Sequence, residues 1–272
     1  MAEFKLLALD LDGTLFNTQK EVSPANKAAL KAAQEKGVKV VITTGRPLKA
    51  IEHLLEDLDL ISEDNYLITF NGGLVQRTTG EILDKAAMTR KDIETIQTEM
   101  EKLALPVDVL SDGTVYSISN QDNHSLYQLA NPMLTFREID GLKHLPDVVY
   151  NKAVVVYNTD FLDQQITKIP QYMYEEFEVF KSRDIILEFM PKGVHKAVGL
   201  NLLIKHLGID QSEVMAMGDE ENDLSMLKWA GFGVAMANGV AIAKETADAV
   251  TKRTNDESGV AEAIEQYILN EE

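Results

Sequence analysis

Short apolar runs separated by helical sequences constrain the fold of this chain more than any other feature. Residues 4–9 (FKLLAL) are almost continuously apolar, as in a strand buried on both faces of a parallel sheet. Residues 38–42 (VKVVI) and 66–70 repeat the pattern. Between these runs, residues 24–36 are rich in Ala and residues 47–58 begin with Pro, both typical of helices. The alternation predicts an α/β fold with a doubly wound, parallel sheet.

The pattern changes in the middle of the chain. Residues 89–103 have the spacing of an amphipathic helix, whereas residues 114–119 alternate like a half-exposed strand. Further strands are expected at 153–157, 177–181, 185–189, 214–217 and 232–235, and further helices at 161–169, 194–207, 224–230 and 260–267. The sequence therefore predicts a Rossmann-like core made of residues 1–82 and 191–272, with an α+β cap domain inserted at 83–190, which is an ordinary domain size.

Composition excludes several classes of function. Of the 272 residues, 45% are hydrophobic and 26% are charged, which is the balance of a soluble globular protein. The net charge of −18 and the absence of a basic patch argue against a nucleic-acid partner. No run approaches the roughly 20 apolar residues of a membrane helix, so no membrane partner is expected. With no cysteine and no visible targeting segment, we expect a cytoplasmic protein, whose oligomeric state the sequence does not indicate.

Two carboxylates, Asp10 and Asp12, follow the first predicted strand directly. Ligands of open α/β sheets bind at the carboxyl ends of the strands. Neighbouring acids repel each other unless a cation lies between them or one is protonated, so the pair suggests a cation site. A turn or a helix cap is the simpler explanation, since Asp and Gly favour both.

The second predicted strand ends in Thr43-Thr44-Gly45-Arg46-Pro47. A hydroxyl group, a glycine and the free N–H groups of a helix start together form a ready anion site. Simple capping of the following helix remains the alternative.

A third cluster follows the strand predicted at 214–217, where Asp219, Glu220, Glu221 and Asp223 accompany Asn222. Magnesium prefers oxygen ligands with few protein carboxylates, although a solvated acidic loop would look the same. Lys196 lies at the start of the preceding helix, where a cation is favourable mainly if an anion is bound. Together, the residues at these three strand ends and Lys196 are candidates for a nucleophile, for charge neutralisation and for positioning, which are the parts that phosphoryl transfer requires.

Six segments carry a family resemblance. They are LDLDGTL (9–15), TTGRP (43–47), NGG (71–73), LEFMPKGVHK (187–196), GDEENDLSML (218–227) and GVAMANG (233–239). In order and spacing, over nearly the whole chain, they resemble the haloacid dehalogenase-like hydrolase superfamily and, within its Cof-type branch, the YidA-like sugar phosphatases.

The resemblance implies a role for each matching residue. Asp10 would be the nucleophile and a metal ligand, and Asp12 the general acid and base, with its backbone carbonyl on the metal. Asp219 would complete a Mg²⁺ site, which Asp223 would support from behind. The remaining phosphate or substrate contacts would be Leu11 (backbone), Thr44, Gly45, Asn71, Lys196 and Asn222.

These roles predict a Mg²⁺-dependent phosphatase that acts through an aspartyl-phosphate intermediate. The predicted substrate is a small phosphorylated metabolite of the sugar phosphate class. The acid at Asp12 favours a phosphatase or a phosphomutase, because the dehalogenases and ion-pumping ATPases of the superfamily lack an acid there. The alternatives are a phosphomutase of the same fold and a non-catalytic sugar-phosphate-binding protein. A signalling receiver domain does not fit, because such domains are shorter and carry their phosphorylated Asp in mid-domain.

Some positions depart from the family pattern or are undecided. His195 stands where relatives commonly have Ser, and Gly239 follows Asn238 where Ala is common. Residues 181–184 (KSRD) are predicted to form the turn that joins two cap strands, at or near the mouth of the pocket, and a solvated turn with no role in specificity is the alternative. Glu188 fits either a buried position beside the site or an exposed one.

Overall fold

Two β-sheets organise the chain in the computed structural model, which describes residues 4–120 and 123–270. The strands are β1 (Leu6–Leu9), β2 (Lys39–Thr43), β3 (Tyr66–Thr69), β4 (Leu74–Arg77), β5 (Ile82–Lys85), β6 (Val107–Ser111), β7 (Thr114–Ile118), β8 (Thr135–Glu138), β9 (Lys152–Val156), β10 (Phe177–Arg183), β11 (Ile186–Pro191), β12 (Val214–Gly218), β13 (Phe232–Ala235) and β14 (Ala249–Val250). The α-helices are α1 (Pro24–Glu35), α2 (Glu52–Asp57), α3 (Arg90–Lys102), α4 (Tyr127–Ala130), α5 (Thr159–Ile166), α6 (Gln171–Glu176), α7 (Lys196–Leu207), α8 (Leu224–Trp229), α9 (Ala241–Thr246) and α10 (Gly259–Ile264).

The larger sheet has eight strands in the order β14-β13-β12-β1-β2-β3-β4-β5. Neighbouring strands are parallel from β14 to β3, whereas β4 runs antiparallel to β3. Every residue of β1, β3 and β12 is buried, as expected for a sheet covered on both faces. The predicted α/β class with a doubly wound, parallel-rich sheet is confirmed.

The smaller sheet has six strands in the order β10-β11-β9-β6-β7-β8. Its neighbours are antiparallel except for the parallel pair β7 and β8. One hydrophobic cluster joins the apolar side chains of this sheet to those of α3, α5 and α6. Successive side chains of a strand point to opposite faces of the sheet. In β6, Val107 and Val109 accordingly belong to this cluster, whereas Asp108 between them does not.

The chain divides into two compact units. The first unit comprises residues 1–45, 53–84 and 195–272, and the second comprises residues 46–52 and 85–194. The first carries the eight-stranded sheet, apart from the last residue of β5, and the second carries the six-stranded sheet. The short segment 46–52 groups with the second unit, which its position in the sequence does not indicate. No α-helix in the described ranges has the length and apolarity needed to cross a bilayer.

The helix predicted over residues 47–58 is wrong as one element. A 3₁₀ turn over Leu48–Ala50 comes first, and α2 starts only at Glu52. Ile51 separates them with a non-helical backbone (φ −133°, ψ 6°) and a fully buried side chain. Burial of this side chain outweighs the modest helical preference of the segment. The predicted C-terminal helix likewise changes, since α10 ends at Ile264 and a π-helical turn follows over Glu265–Leu269.

The turn predicted at residues 181–184 is also wrong in most of its length. Strand β10 continues to Arg183, with an irregular register between Lys181 and Arg183, and β11 starts at Ile186. Lys181 forms an ion pair with Asp163, with 2.5 Å between Nζ and Oδ1. The placement of this segment at a pocket mouth stays a prediction.

Candidate active site

The carboxyl ends of adjacent parallel strands bring the predicted residues together within the first unit. Strands β12, β1 and β2 are neighbours in the sheet, and Asp219, Asp10 and Thr44 each follow one of them directly. The Asp10 backbone N–H donates to the Met217 carbonyl at 3.1 Å, which continues the ladder between β1 and β12 past the strand end. The backbone register therefore sets the spacing between these side chains.

Three carboxylates meet at this edge of the sheet. One oxygen atom from each of Asp10, Asp219 and Asp223 lies within 4.8 Å of the others, and all three side chains are buried. The first residue of α7, Lys196, is fully buried among them. Its Nζ lies 2.5 Å from Asp10 Oδ1 and 2.6 Å from Asp223 Oδ1. With all four groups ionised, three carboxylates and one ammonium group leave this cluster with two excess negative charges.

The pKa values show the same imbalance. Burial raises the pKa of Asp10 to about 7, although attraction to Lys196 opposes the rise. Burial raises the pKa of Asp219 to about 9, and repulsion from Asp10 and Asp223 adds to the rise. Burial acts to lower the pKa of Lys196, but the two adjacent carboxylates outweigh it and raise that pKa. The cluster therefore holds its full negative charge only when a further cation compensates it.

Asp223 links Lys196 to the backbone of the loop that follows β12. Its Oδ1 binds Lys196, and its Oδ2 accepts hydrogen bonds from the backbone N–H groups of Asp219 and Glu220 at 2.8 and 3.0 Å. A side chain at Gly218 would collide with Asp223, since its Cβ would lie 2.5 Å from the Asp223 Cβ. Both carboxylate oxygens of Asp223 thus accept hydrogen bonds, and its supporting role at a metal site stays a prediction.

Asp219 is fixed from the opposite side by the loop after β1. The Thr14 hydroxyl donates to Asp219 Oδ1 at 2.7 Å. Gly13 adopts φ +88°, and a Cβ there would lie 2.1 Å from Asp219 Oδ2, so only glycine fits. Thr14 lies within the LDLDGTL segment, but it was not predicted to belong to the site. The Thr that follows the Asp-Gly turn is the signal that could have indicated it.

A divalent metal with oxygen ligands fits this cluster. Among the described residues, Oδ2 of Asp10 and Oδ2 of Asp219 accept no hydrogen bond, while Oδ1 of each is engaged. Two carboxylate oxygens are the hard donors that Mg²⁺ prefers, and its charge equals the excess of the cluster. The structure thus brings two of the three predicted metal-binding residues together, and the role of the Asp12 carbonyl stays a prediction.

The residues predicted to hold phosphate also converge. Thr44 is buried, its N–H donates to the Ile68 carbonyl at 2.8 Å, and its carbonyl accepts from the Asn71 N–H at 3.0 Å. Asn222 Nδ2 donates to Asn71 Oδ1 at 3.2 Å. A Cβ at Gly45 would lie 3.0 Å from Asn71 Nδ2, so this glycine allows Asn71 to approach closely.

The NGG segment is explained by its contacts with the start of α7. Asn71 takes the left-handed conformation (φ 52°, ψ 36°), which Asn tolerates better than most residues. Gly72 follows with φ +100°, and a Cβ there would lie 2.2 Å from the His195 carbonyl oxygen. This close approach places the NGG turn directly beside the residue that precedes Lys196.

Asp12 occupies a different environment from the buried cluster. Its side chain is 22% exposed, and its Oδ1 lies 2.6 Å from Nζ of Lys20. Leu11, between the two acids, is fully buried, and its carbonyl accepts from the Phe16 N–H at 2.8 Å. No partner was predicted for Asp12, since a lysine eight residues further along the chain gives no signal in the sequence.

Glu188 belongs to the second unit and is buried there rather than exposed. Its Oε2 lies 2.6 Å from Nζ of Lys152, which is buried as well. The pair lies on neighbouring strands, β11 and β9.

Comparison with known proteins gives a consistent result. The sequence profile described as haloacid dehalogenase-like hydrolase matches residues 7–264. YxeH of Bacillus subtilis (strain 168) is 36% identical over 98% of this chain and 99% of its own length. The 5-amino-6-(5-phospho-D-ribitylamino)uracil phosphatase YcsE of the same strain is 32% identical over 98% of this chain and 97% of its own length. The solved structure of the HAD subclass IIB sugar phosphatase BT4131 superposes with a TM-score of 0.82 and 25% identity, covering 97% of this chain and 98% of that one.

Proposed function

This chain belongs to the haloacid dehalogenase-like hydrolases, and on that basis we propose that it is a Mg²⁺-dependent phosphatase acting on small sugar phosphates. We further propose that the reaction passes through an aspartyl-phosphate on Asp10. Two relatives support the substrate class, since BT4131 is a sugar phosphatase and YcsE removes phosphate from a ribityl chain. Both substrates are phosphate esters of polyhydroxylated carbon chains.

The observation that carries the proposal is the buried contact of Lys196 with Asp10 and Asp223. A nucleophilic carboxylate must approach an anionic phosphate, which is unfavourable unless positive charge compensates both. Lys196 provides one positive charge, at 2.5 Å from Asp10. The two excess negative charges of the cluster provide the reason to bind a divalent cation as well. A merely structural cluster would be expected to balance its own charges.

In the first step, an Asp10 carboxylate oxygen attacks the phosphorus atom. A new bond forms between Asp10 and phosphorus while the ester bond between phosphorus and the sugar oxygen breaks. The leaving alkoxide takes a proton from Asp12, which acts as the general acid. Lys196 and the segments of Thr44 and Asn222 bind the phosphoryl oxygens, so that charge developing in the transition state meets preformed donors.

In the second step, water attacks the phosphorus atom of the aspartyl-phosphate. Asp12, now a carboxylate, takes a proton from the water, and the bond between phosphorus and Asp10 breaks. Inorganic phosphate leaves, and the Asp10 carboxylate is restored. A Mg²⁺ held by Asp10, Asp219 and the Asp12 backbone carbonyl would supply Lewis-acid neutralisation of the phosphoryl charge.

The proposal is tested by phosphate release from a panel of sugar phosphates, measured with Mg²⁺ and with a chelator. We expect hydrolysis that requires Mg²⁺, and one equivalent of acid-stable phosphoprotein after rapid quenching, which the Asp10→Asn variant should not form. Conversion of one sugar phosphate into its positional isomer without phosphate release would indicate a phosphomutase instead. Tight binding of a sugar phosphate without turnover would indicate a binding protein. Full activity in chelator would contradict the metal dependence.

A further inference from the structure

The ion pair between Lys20 and Asp12 joins an exposed lysine to the proposed acid and base. Exposed ion pairs usually contribute little to stability, so the pair by itself proves nothing about function. What distinguishes it is the way in which the chain between the two residues is built.

Lys20 lies in a tight turn that holds it in a conformation unusual for lysine. Its φ of 64° is left-handed, which is normally adopted by Gly, Asn or Asp. Asn17 supports the turn, because its side-chain oxygen accepts from the N–H groups of Gln19 and Glu21 at 3.0 and 2.8 Å. The N–H of Lys20 donates to the Asn17 carbonyl at 3.0 Å. The direction of the Lys20 side chain is therefore determined by a hydrogen-bonded turn.

Both ends of the ion pair are attached to the same distant segment. Oδ1 of Asp256 accepts from the N–H and the hydroxyl of Thr18, at 2.7 and 3.0 Å, and so anchors the turn that carries Lys20. The neighbouring Asn255 donates to the Phe16 carbonyl at 2.8 Å, and Phe16 forms a β-bridge with Asp12. Residues 255 and 256 thus hold the lysine and the acid in one frame.

The GVAMANG segment completes this frame. Asn238 Nδ2 donates to the Gly13 carbonyl at 2.7 Å, directly after Asp12. Its Oδ1 accepts from the Asn255 N–H at 2.9 Å. Asn238 therefore connects the loop that carries Asp12 to the segment that anchors Lys20.

We propose that Lys20 is a positioning residue, which holds the Asp12 carboxyl group by Oδ1 in the orientation needed for proton transfer to the leaving group. This inference rests on the proposed function. A carboxyl group on a part-exposed loop can rotate among several side-chain conformations, and only some of them bring an oxygen to the leaving group. General acid catalysis needs that oxygen within hydrogen-bond distance, so a restriction of rotation increases the productive fraction.

The test compares two substrates that differ in their need for an acid. Ribose 5-phosphate is an alkyl ester, whose leaving oxygen needs a proton, whereas the p-nitrophenolate of p-nitrophenyl phosphate leaves without one. The informative quantity is kcat/KM, which reports steps up to the first irreversible transfer. Lys20→Met removes the charge and keeps the length of the side chain, and Lys20→Arg keeps the charge. Lys27→Met is the matched control, since Lys27 also forms an exposed 2.6 Å ion pair, with Asp57, in the same unit.

We expect Lys20→Met to lower kcat/KM for ribose 5-phosphate by about tenfold, a fraction of the roughly 10²–10⁴-fold effect of general acid catalysis. The value for p-nitrophenyl phosphate should stay within twofold, Lys20→Arg should recover at least half of the loss, and Lys27→Met should match wild type on both substrates. Asp256→Ala, which frees the turn without touching Lys20 or Asp12, should cause a smaller loss on ribose 5-phosphate alone.

Equal kcat/KM values for Lys20→Met and wild type on ribose 5-phosphate would overturn the inference, and so would equal losses on both substrates. Either result would leave the proposed phosphatase intact, provided that wild-type hydrolysis still depends on Asp10. Wild-type protein without Asp10-dependent hydrolysis of either ester would instead overturn the proposed function, and this inference with it.

Discussion

Each unit of the molecule buries acidic side chains, but the units differ in how the negative charge of these side chains is compensated. In the first unit, Asp10, Asp219 and Asp223 share one buried cation, Lys196. In the second unit, Oε2 of Glu188 forms an ion pair with Nζ of Lys152 at 2.6 Å. The first arrangement leaves carboxylates in excess of the one ammonium group, whereas in the second a buried lysine lies beside the buried acid.

Another buried acid of the second unit is stabilised by hydroxyl groups. Asp108 accepts hydrogen bonds from the hydroxyl groups of Ser117, at 2.5 Å, and of Ser125. Burial raises its pKa to about 6, although these two hydrogen bonds oppose the rise. Asp108 and Glu188 both pair with Val154, from opposite sides, so they lie in one row across the sheet. Buried acids alone therefore do not identify a metal site, and the unbalanced charge of the first cluster is what distinguishes it.

The largest difference should come from the same substitution made once in each unit. Asp10→Asn should abolish turnover, because an amide is a poor nucleophile and a weaker metal ligand. Asp108→Asn removes an equally buried carboxylate that has no role in the proposed chemistry, so it should keep most of the wild-type activity. Phosphate release by both variants, with circular dichroism as a check of folding, measures the contrast. Asp10→Asn activity above a few per cent of wild type would contradict covalent catalysis.

A smaller loss is expected for Asp12→Asn. This variant keeps the backbone carbonyl and removes proton transfer, which typically contributes ~10²–10⁴-fold. The loss should be large for an alkyl phosphate and smaller for the first step with an aryl phosphate, measured by rapid mixing. An unchanged rate with the alkyl ester would reject the acid and base role of Asp12.

In the second unit the expected effect is on stability. Lys152→Met removes the ammonium group that lies 2.6 Å from buried Glu188, and removing one partner of a buried ion pair typically costs ~3–5 kcal/mol. The double variant Lys152→Met/Glu188→Leu should recover much of this loss, because neither charge then remains. Urea denaturation of the single and double variants measures both values. A single variant as stable as wild type would show that the pair contributes nothing to the fold.

Replacing Asp108 should have a weaker effect on the free energy of unfolding, and this effect should depend on pH. Its folded-state pKa of about 6 lies above the value of 3.8 for an exposed aspartate, so the folded state binds its proton more tightly than the unfolded state does. Its contribution to stability is complete below about pH 4 and is lost as the pH rises through 6. Asp108→Asn should therefore match wild type near pH 4 and exceed it at pH 8, by at most ~3 kcal/mol at ~1.4 kcal/mol per pKa unit. The difference between the two denaturation curves across pH should change in this direction, and a constant difference would refute the assignment.

Much of the first unit was predictable because it depends on local patterns. The apolar runs indicated β1, β2 and β12, and the polar residues after them indicated where the acids would meet. Parallel strands align their carboxyl ends, so strand order was not needed to expect the cluster. The close approach of Gly13 to Asp219 and of Gly72 to His195 could not be predicted, because it depends on the fold that brings these distant residues together.

The second unit was less predictable because its buried polar residues lie within strands and form no recognisable motif in the sequence. Asp108 lies in VDVL, a short stretch for which no strand was predicted, although it forms part of β6. Its partners Ser117 and Ser125 are brought to it only by pairing of β6 with β7 and by the following loop. Lys20 was missed for a similar reason, since nothing in the sequence marks a lysine for a left-handed turn.

The most direct test of the unbalanced charge is the pH dependence of Mg²⁺ stabilisation. Both Asp10 and Asp219 have raised folded-state pKa values, about 7 and about 9, so without metal their contribution to stability is lost as the pH rises from about 4 through these values. Mg²⁺ needs the deprotonated carboxylates and stabilises the state that it binds. The increase in Tm caused by Mg²⁺ should therefore grow between pH 6 and pH 9 in wild type and Asp108→Asn, and nearly vanish in Asp219→Asn. An increase that is absent, or that is the same in Asp219→Asn, would contradict a cation site at this cluster.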